Sequence, residues 1–150
     1  MANTYTSLNI HFVFSTKNRK NLVNGKIRSR LYAYLGGIAR EINAKPLAIG
    51  GTGNHIHMLL SLPPVLSVSK CILTLKSNSS KWIHEEFPKN KGFAWQAGYS
   101  GFSVSPRQSR NVRQYIENQE EHHRIRTFEE EYIDFLKESA IGYDEKYIWG

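Results

Sequence analysis

Leu8, Ile10, Phe12 and Phe14 alternate with Asn9, His11, Val13 and Ser15, which predicts a strand with one strongly apolar face. Ile27, Leu31, Leu35, Ile38 and Ile42 then recur at helical spacing and predict an amphipathic helix from about Gly25 to Asn43. Leu47 and Ile49 begin a short strand. The turn chemistry of Gly50-Gly51-Thr52-Gly53-Asn54 leads into His55-Ile56-His57-Met58-Leu59-Leu60, so these two strands are expected to form a hairpin. Pro63-Pro64 stops the second strand. Ser67 can cap a second helix, with Val68, Ile72, Leu75 and Trp82 on one stripe and Lys70, Ser77, Lys81 and His84 opposite. Phe93, Trp95, Ala97 and Tyr99 alternate as a fourth strand. Arg110 to His123 reads as a third helix. Thr127 followed by Glu130 is a capping box that opens a short further helix, expected to end at Gly142. The aromatic tail from Tyr143 to Trp149 is expected to dock rather than dangle.

The order strand, helix, strand, strand, helix, strand, then helices predicts an α+β fold. With right-handed crossovers it is the ferredoxin-like, RRM-like sandwich: a four-stranded antiparallel sheet with helices on one face, followed by C-terminal helices. In that topology the first and third strands are the central pair, so His11 is expected on the same open face as His55 and His57. No repeat or long linker divides the chain, and residues 1–150 are expected to form one domain.

Composition narrows the partners. Lys and Arg number 20 against 13 Asp and Glu, a formal net charge of +7, which favours a polyanion such as nucleic acid. A single cysteine, Cys71, allows no internal disulfide and no cysteine-based zinc site, and its helical position reads as buried. The polar segment Met1 to Ser7 does not read as a secretory leader, and no apolar run is long enough for a membrane span, so a cytoplasmic protein is expected.

The candidate chemistry starts at His55-Ile56-His57. Strand alternation points both imidazoles one way, while Ile56, Met58 and Leu60 point toward a core. Two histidines on one strand face form half of a metal site. On the third helix Tyr115 and Gln119 lie four residues apart, one above the other. The two imidazoles and the Gln119 amide oxygen would make a three-ligand N/O site with open positions. Such a site suits Mg²⁺ or Mn²⁺ completed by phosphate oxygens and water, with Tyr115 placed to attack phosphorus. Gly50-Gly51-Thr52-Gly53 lacks a following Gly-Lys-Ser/Thr, so no nucleotide cofactor is expected. His84-Glu85-Glu86 reads as a helix end, and Glu129-Glu130-Glu131 as a solvated first turn favoured by the helix dipole. His11 is expected to support the pair rather than act directly.

His-hydrophobic-His on a central strand, followed by Tyr115-Ile116-x-Asn118-Gln119-x-x-His122-His123 on a later helix, resembles the single-tyrosine HUH transposases of small bacterial insertion sequences. His11-Phe12-Val13-Phe14-Ser15-Thr16-Lys17 and Trp95-Gln96-x-x-Tyr99 belong to the same resemblance, which covers nearly the whole chain. It implies that Tyr115 is the nucleophile and that His55, His57 and Gln119 are the metal ligands. It also implies a homodimer acting on single-stranded DNA with hairpins near the element ends. Cleavage would leave a 5′-phosphotyrosine and a free 3′-hydroxyl, and the tyrosine helix of one subunit can complete the site of the other. The resemblance assigns no chemistry to His122 and His123. Basic candidates for DNA contact are Lys17, Arg19 and Lys20 in the first loop, Lys70 and Lys81 on the second helix, and Arg110 and Arg113 on the third.

Two rival readings share these features. One is a related nuclease adopted by the host to process repeated palindromes. The other is a non-catalytic RRM-like module, although His55 and His57 stand where such a module would place stacking aromatics.

Overall fold

A computed structural model describes residues 3–123 and 126–149; Met1 and Ala2 of the polar leading segment lie outside it. The elements are β1 (Asn9–Ser15), α1 (Gly25–Glu41), β2 (Lys45–Gly51), β3 (His55–Ser61), α2 (Val68–Glu86), β4 (Ser100–Val104), α3 (Ser109–Glu117), α4 (Gln119–His122) and α5 (Phe128–Glu138). The strands form one sheet in the order β2-β3-β1-β4, every neighbouring pair antiparallel. This is the expected α+β sandwich with β1 and β3 at its centre.

Alternation along the central strands decides which side chains meet which layer. Phe12 and Phe14 of β1 and Ile56, Met58 and Leu60 of β3 point to one side. There they pack against Ile27, Leu31 and Leu35 of α1 and Cys71, Ile72, Leu75 and Ile83 of α2. Asn24 accepts from the backbone N–H groups of Lys26 and Ile27, and Ser67 from that of Lys70, so each of these helices starts on a side-chain cap. Each fully buried aliphatic or aromatic side chain contributes roughly 1.5–3 kcal/mol relative to exposure, so this layer is the main source of stability.

The second sheet face differs from expectation. His11, Val13, His55, His57 and Leu59 point to it, and each is buried. The C-terminal helices and the tail cover this face instead of leaving it open. Ile116 of α3 packs on Ala48 and Leu59. Phe128 and Leu136 of α5 pack on Val13 and Phe102, joined by Phe135, Tyr143, Ile148 and Trp149. The aromatic tail therefore docks, as its composition predicts. Gly50 lets α3 come close: a Cβ there would stand 2.0 Å from the Ile116 carbonyl oxygen.

Three boundaries also depart from the pattern. The alternating segment Phe93 to Tyr99 is not a strand; its one bridge is Trp95 to Thr16, and the fourth strand lies later, at Ser100–Val104. Phe93 and Trp95 alternate because they fill the end of the α2 layer, and Gly98 then turns the chain at φ +87°. Small residues in Ser100-Gly101-Phe102-Ser103 hide the true strand from a hydrophobicity pattern. The expected single helix from Arg110 to His123 breaks at Asn118 (φ −103°, ψ 24°) into α3 and α4. Finally, α5 stops before Gly142. Ala140 takes a left-handed φ of 54°, its N–H donates to the Lys137 carbonyl, and Ile141 N–H donates to Leu136. This is a Schellman closure with alanine where glycine is usual.

Candidate metal and nucleophile site

The polar residues of the second face converge under α5. β3 presents His55 and His57 side by side, both fully buried. His55 Nδ1 lies 2.8 Å from Asn54 Oδ1 and 3.1 Å from Thr52 Oγ1 in the turn that precedes the strand. His57 Nδ1 lies 2.7 Å from His11 Nε2 on β1. Each ring is thus oriented through Nδ1 and offers Nε2 to the same interior point, the arrangement by which supporting hydrogen bonds aim a metal-binding imidazole. His11 reaches the interior point only by way of its contact with His57.

The break at Asn118 sets Gln119 at the start of α4, where it is buried. Its Oε1 stands 2.9 Å from His55 Nε2. His123, one turn later, also lies 2.9 Å from that oxygen and fixes the amide from the other side. Tyr115 is half-buried at the edge of the same group. It lines a cleft of about 120 Å³ with His122, Arg126, Glu131, Asp134, Phe135 and Glu138, so its surroundings open toward solvent. Tyr115, His55, His57 and Gln119 are therefore brought together within one chain.

Sequence reasoning missed Glu131. It is not part of a solvated turn: only Glu129 and Glu130 face outward, and Glu131 is 2% exposed. Its Oε1 lies 3.0 Å from His57 Nε2 and 3.8 Å from His55 Nε2. Its Oε2 accepts a hydrogen bond from the Tyr115 hydroxyl and lies 3.3 Å from His122 Nε2 and 3.2 Å from His123 Nε2. The signal was present in the helical period. Phe128, Glu131, Tyr132, Phe135 and Leu136 fall at i, i+3, i+4, i+7 and i+8, so Glu131 occupies the middle of the buried stripe of α5. The capping box, which α5 does form, drew attention to the wrong face of this turn.

Burial and charge set the protonation states. Burial lowers His55 and His11 to about 3, with the neighbouring His57 acting in the same direction on both. Burial opposes the Glu131 carboxylate, but hydrogen bonds from His123 and His57 outweigh it and hold the carboxyl far below the usual range. Burial and the hydrogen bond to Glu131 push the Tyr115 phenol up. His11 and His55 are thus held neutral beside the Glu131 carboxylate, while His123, hydrogen-bonded to that carboxylate, is shifted upward despite its burial. Two groups that are neutral when folded but protonate near pH 6.5 when unfolded make stability rise with pH between about 3 and 6.5. Acidifying the metal-free protein from pH 7 to pH 5 should therefore cost on the order of 2–4 kcal/mol, read as a falling Tm in thermal melts. A Tm unchanged across that interval would contradict the buried neutral histidines.

The chemistry of the donor set fits a divalent cation. Two imidazole nitrogens and one or two oxygens suit Mn²⁺ or Mg²⁺ better than a thiolate-seeking metal. Among the described residues, His55, His57 and Glu131 place one donor atom each within 4.8 Å of one another.

Residues 4–119 match the family described as "Transposase IS200 like". The chain belongs to that family. The transposase for insertion sequence element IS200 of Salmonella typhimurium is 30% identical over 125 residues, spanning 79% of this chain and 81% of that protein. The ISDra2 transposase TnpA of Deinococcus radiodurans is 25% identical over 117 residues, spanning 75% and 84%. The fold recurs in a Deinococcus radiodurans crystal structure provisionally described as a transposase (TM-score 0.66, 24% identity, 79% of this chain and 95% of that one). It recurs again in a REP-associated tyrosine transposase bound to a REP hairpin (TM-score 0.57, 16% identity, 77% and 68%). The family match contains Tyr115, His55, His57 and Gln119 and stops before Glu131.

The basic candidates divide by layer. Arg110 and Arg113 are exposed on α3, beside the site. Lys17 and Lys20 are exposed on the loop after β1, while Arg19 pairs with Glu129 at 3.1 Å and lies over the Trp149 ring. Lys70 and Lys81 are exposed on α2, across the sheet from the histidines. No helix among the described residues is long and apolar enough to cross a membrane.

Proposed function

We propose that this member of the family binds hairpin single-stranded DNA at insertion-sequence ends, and cleaves and rejoins it through a 5′-phosphotyrosine on Tyr115. The observation that carries this reading is that the Tyr115 phenol is one carboxylate away from the His55–His57 pair in the same chain. His55, His57 and Gln119 would hold Mg²⁺ or Mn²⁺, which supplies positive charge against the phosphate oxygens. The Tyr115 oxygen gives up its proton and attacks phosphorus, the bond to the 3′-oxygen breaks, and that departing oxygen takes up a proton to become the free 3′-hydroxyl, so no net proton is gained or lost. The new phosphotyrosine ester keeps the energy of the broken bond, so a 3′-hydroxyl can reverse the step without a nucleotide cofactor.

The phenol needs help, because burial and Glu131 make its deprotonation harder in the metal-free state. Arg110 and Arg113, with Lys17 and Lys20, are the best-placed phosphate contacts on the site side; Lys70 and Lys81 would serve only DNA that wraps the other layer. The whole chain works as one domain in this reading, since the nucleophile and the histidines lie on opposite sides of the α2 segment in sequence. A homodimer belongs to this reading, and the proximity of Tyr115 to the histidines within one chain supports a site that each chain can assemble from its own residues. The buried histidines also fit poorly with an RRM-like module, which stacks bases on an exposed sheet face.

The test incubates the full chain with a labelled single-stranded hairpin oligonucleotide from the flanks of its own gene and Mn²⁺ or Mg²⁺. A covalent protein–DNA band that chelation with EDTA suppresses is expected. Tight hairpin binding with no covalent species under either ion would overturn the proposal.

A further inference from the structure

Glu131, which the family match does not reach, is buried in the site alongside His55, His57 and Gln119. We propose that Glu131 is a fourth protein ligand of the divalent ion, and that its second carboxylate oxygen positions the Tyr115 phenol beside that ion. This rests on the reading of His55, His57 and Gln119 as ligands and adds a residue to it.

Three observations carry the inference. The first is convergence. Donor atoms held at about 2.0–2.2 Å from one ion stand about 3–3.5 Å apart. Here His55 Nε2 and Gln119 Oε1 are 2.9 Å apart, and His57 Nε2 and Glu131 Oε1 are 3.0 Å apart, with 3.8 Å from His55 Nε2 to Glu131 Oε1. A glutamate oxygen therefore closes a set that two imidazoles and an amide leave one-sided.

The second is charge. Two neutral imidazoles and one amide bring no negative charge to a dication, and hard cations favour carboxylate oxygen. Burying a carboxylate costs several kcal/mol unless it is paired. Glu131 is buried among His57, His122, His123 and Tyr115, with Arg126 lining the adjoining cleft. Such a position makes sense for a group that faces a cation.

The third is the division of labour between the two oxygens. Oε1 faces the histidine pair, while Oε2 accepts from the Tyr115 phenol. One rigid carboxylate on a capped helix thus fixes the distance from nucleophile to ligand set. α5 is held in place for this by Phe128 and Leu136 against Val13 and Phe102. Glu131 is a ligand through Oε1 and a positioning residue through Oε2.

Mn²⁺ affinity of the full chain, measured by isothermal titration calorimetry and by loss of the free-Mn²⁺ paramagnetic resonance signal, tests this directly. Glu131→Gln keeps the size and one acceptor oxygen, and is expected to weaken Mn²⁺ binding 10–100-fold. His57→Ala should abolish binding altogether. If His57→Ala binds Mn²⁺ like the parent, the ligand reading itself fails. If His57→Ala loses binding while Glu131→Gln binds as tightly as the parent or tighter, only the Glu131 proposal fails, and the carboxylate merely fills the metal-free cavity. Should Glu131→Gln not fold, infrared difference spectra of the parent protein with and without Mn²⁺ decide instead. A displaced carboxylate stretching band supports the proposal, and its absence overturns it.

Discussion

Replacing Tyr115 with phenylalanine is expected to reduce formation of the covalent protein–DNA species by about 10⁴-fold or more, the scale on which loss of a nucleophile acts. Binding of the hairpin should change little, because the ring stays and only the hydroxyl goes. The phenol lies against the His57 ring with centroids 5.9 Å apart and against Phe135 at 5.7 Å, so phenylalanine keeps both packing contacts. It removes one hydrogen bond to Glu131, a loss of about 1–3 kcal/mol that the protein should survive folded. A gel-shift titration beside a denaturing gel separates the two effects. Equal loss of binding and of covalent product would mean that Tyr115 serves to hold DNA rather than to attack it.

His57→Ala should be nearly as severe for catalysis, and for a different reason. His57 touches His11 through one nitrogen and Glu131 through the other, so its removal takes a partner from each, although Tyr115, His122 and His123 still face Glu131. A buried carboxylate that loses a charge-assisted hydrogen bond costs about 1.5–3 kcal/mol, and Tm should fall accordingly. Cleavage should fall by at least about 10²-fold, since one of the proposed metal ligands is gone. A mixture of Tyr115→Phe and His57→Ala proteins adds a sharper comparison. If the proposed site is completed within one chain, where Tyr115 lies beside the histidines, the mixture should remain inactive. Recovery of cleavage on mixing would show that the tyrosine helix serves the partner's histidines.

The sandwich was legible because its two long helices and two central strands carry strong periodicity. The His55–His57 pair was legible for the same reason: a period of two admits no other arrangement of side chains. Spacing placed Tyr115 and Gln119 on one stripe of a helix and the family resemblance singled them out, although nothing in the chain announces the break at Asn118 that turns Gln119 inward. β4 was not legible, since Gly101 and two serines carry no apolar signal, while Phe93 and Trp95 imitate a strand by filling the core from a loop. The cover over the second sheet face was missed with it. A sheet face bearing histidines reads as open, yet His11, His55 and His57 are polar groups satisfied by one another and by Glu131. Glu131 itself was hidden by its two neighbours, because a run of three acidic residues reads as solvated even when one of them falls on the apolar stripe.

Peptide mapping of the trapped protein–DNA species is the most direct measurement. The parent chain is allowed to react with a hairpin oligonucleotide and Mn²⁺, then digested with protease and nuclease and read by mass spectrometry. The nucleotide remnant is predicted on the peptide that contains Tyr115, joined through a 5′-phosphate. A remnant on any other tyrosine, or on a serine or histidine, would contradict the assignment of this site as the centre of strand transfer.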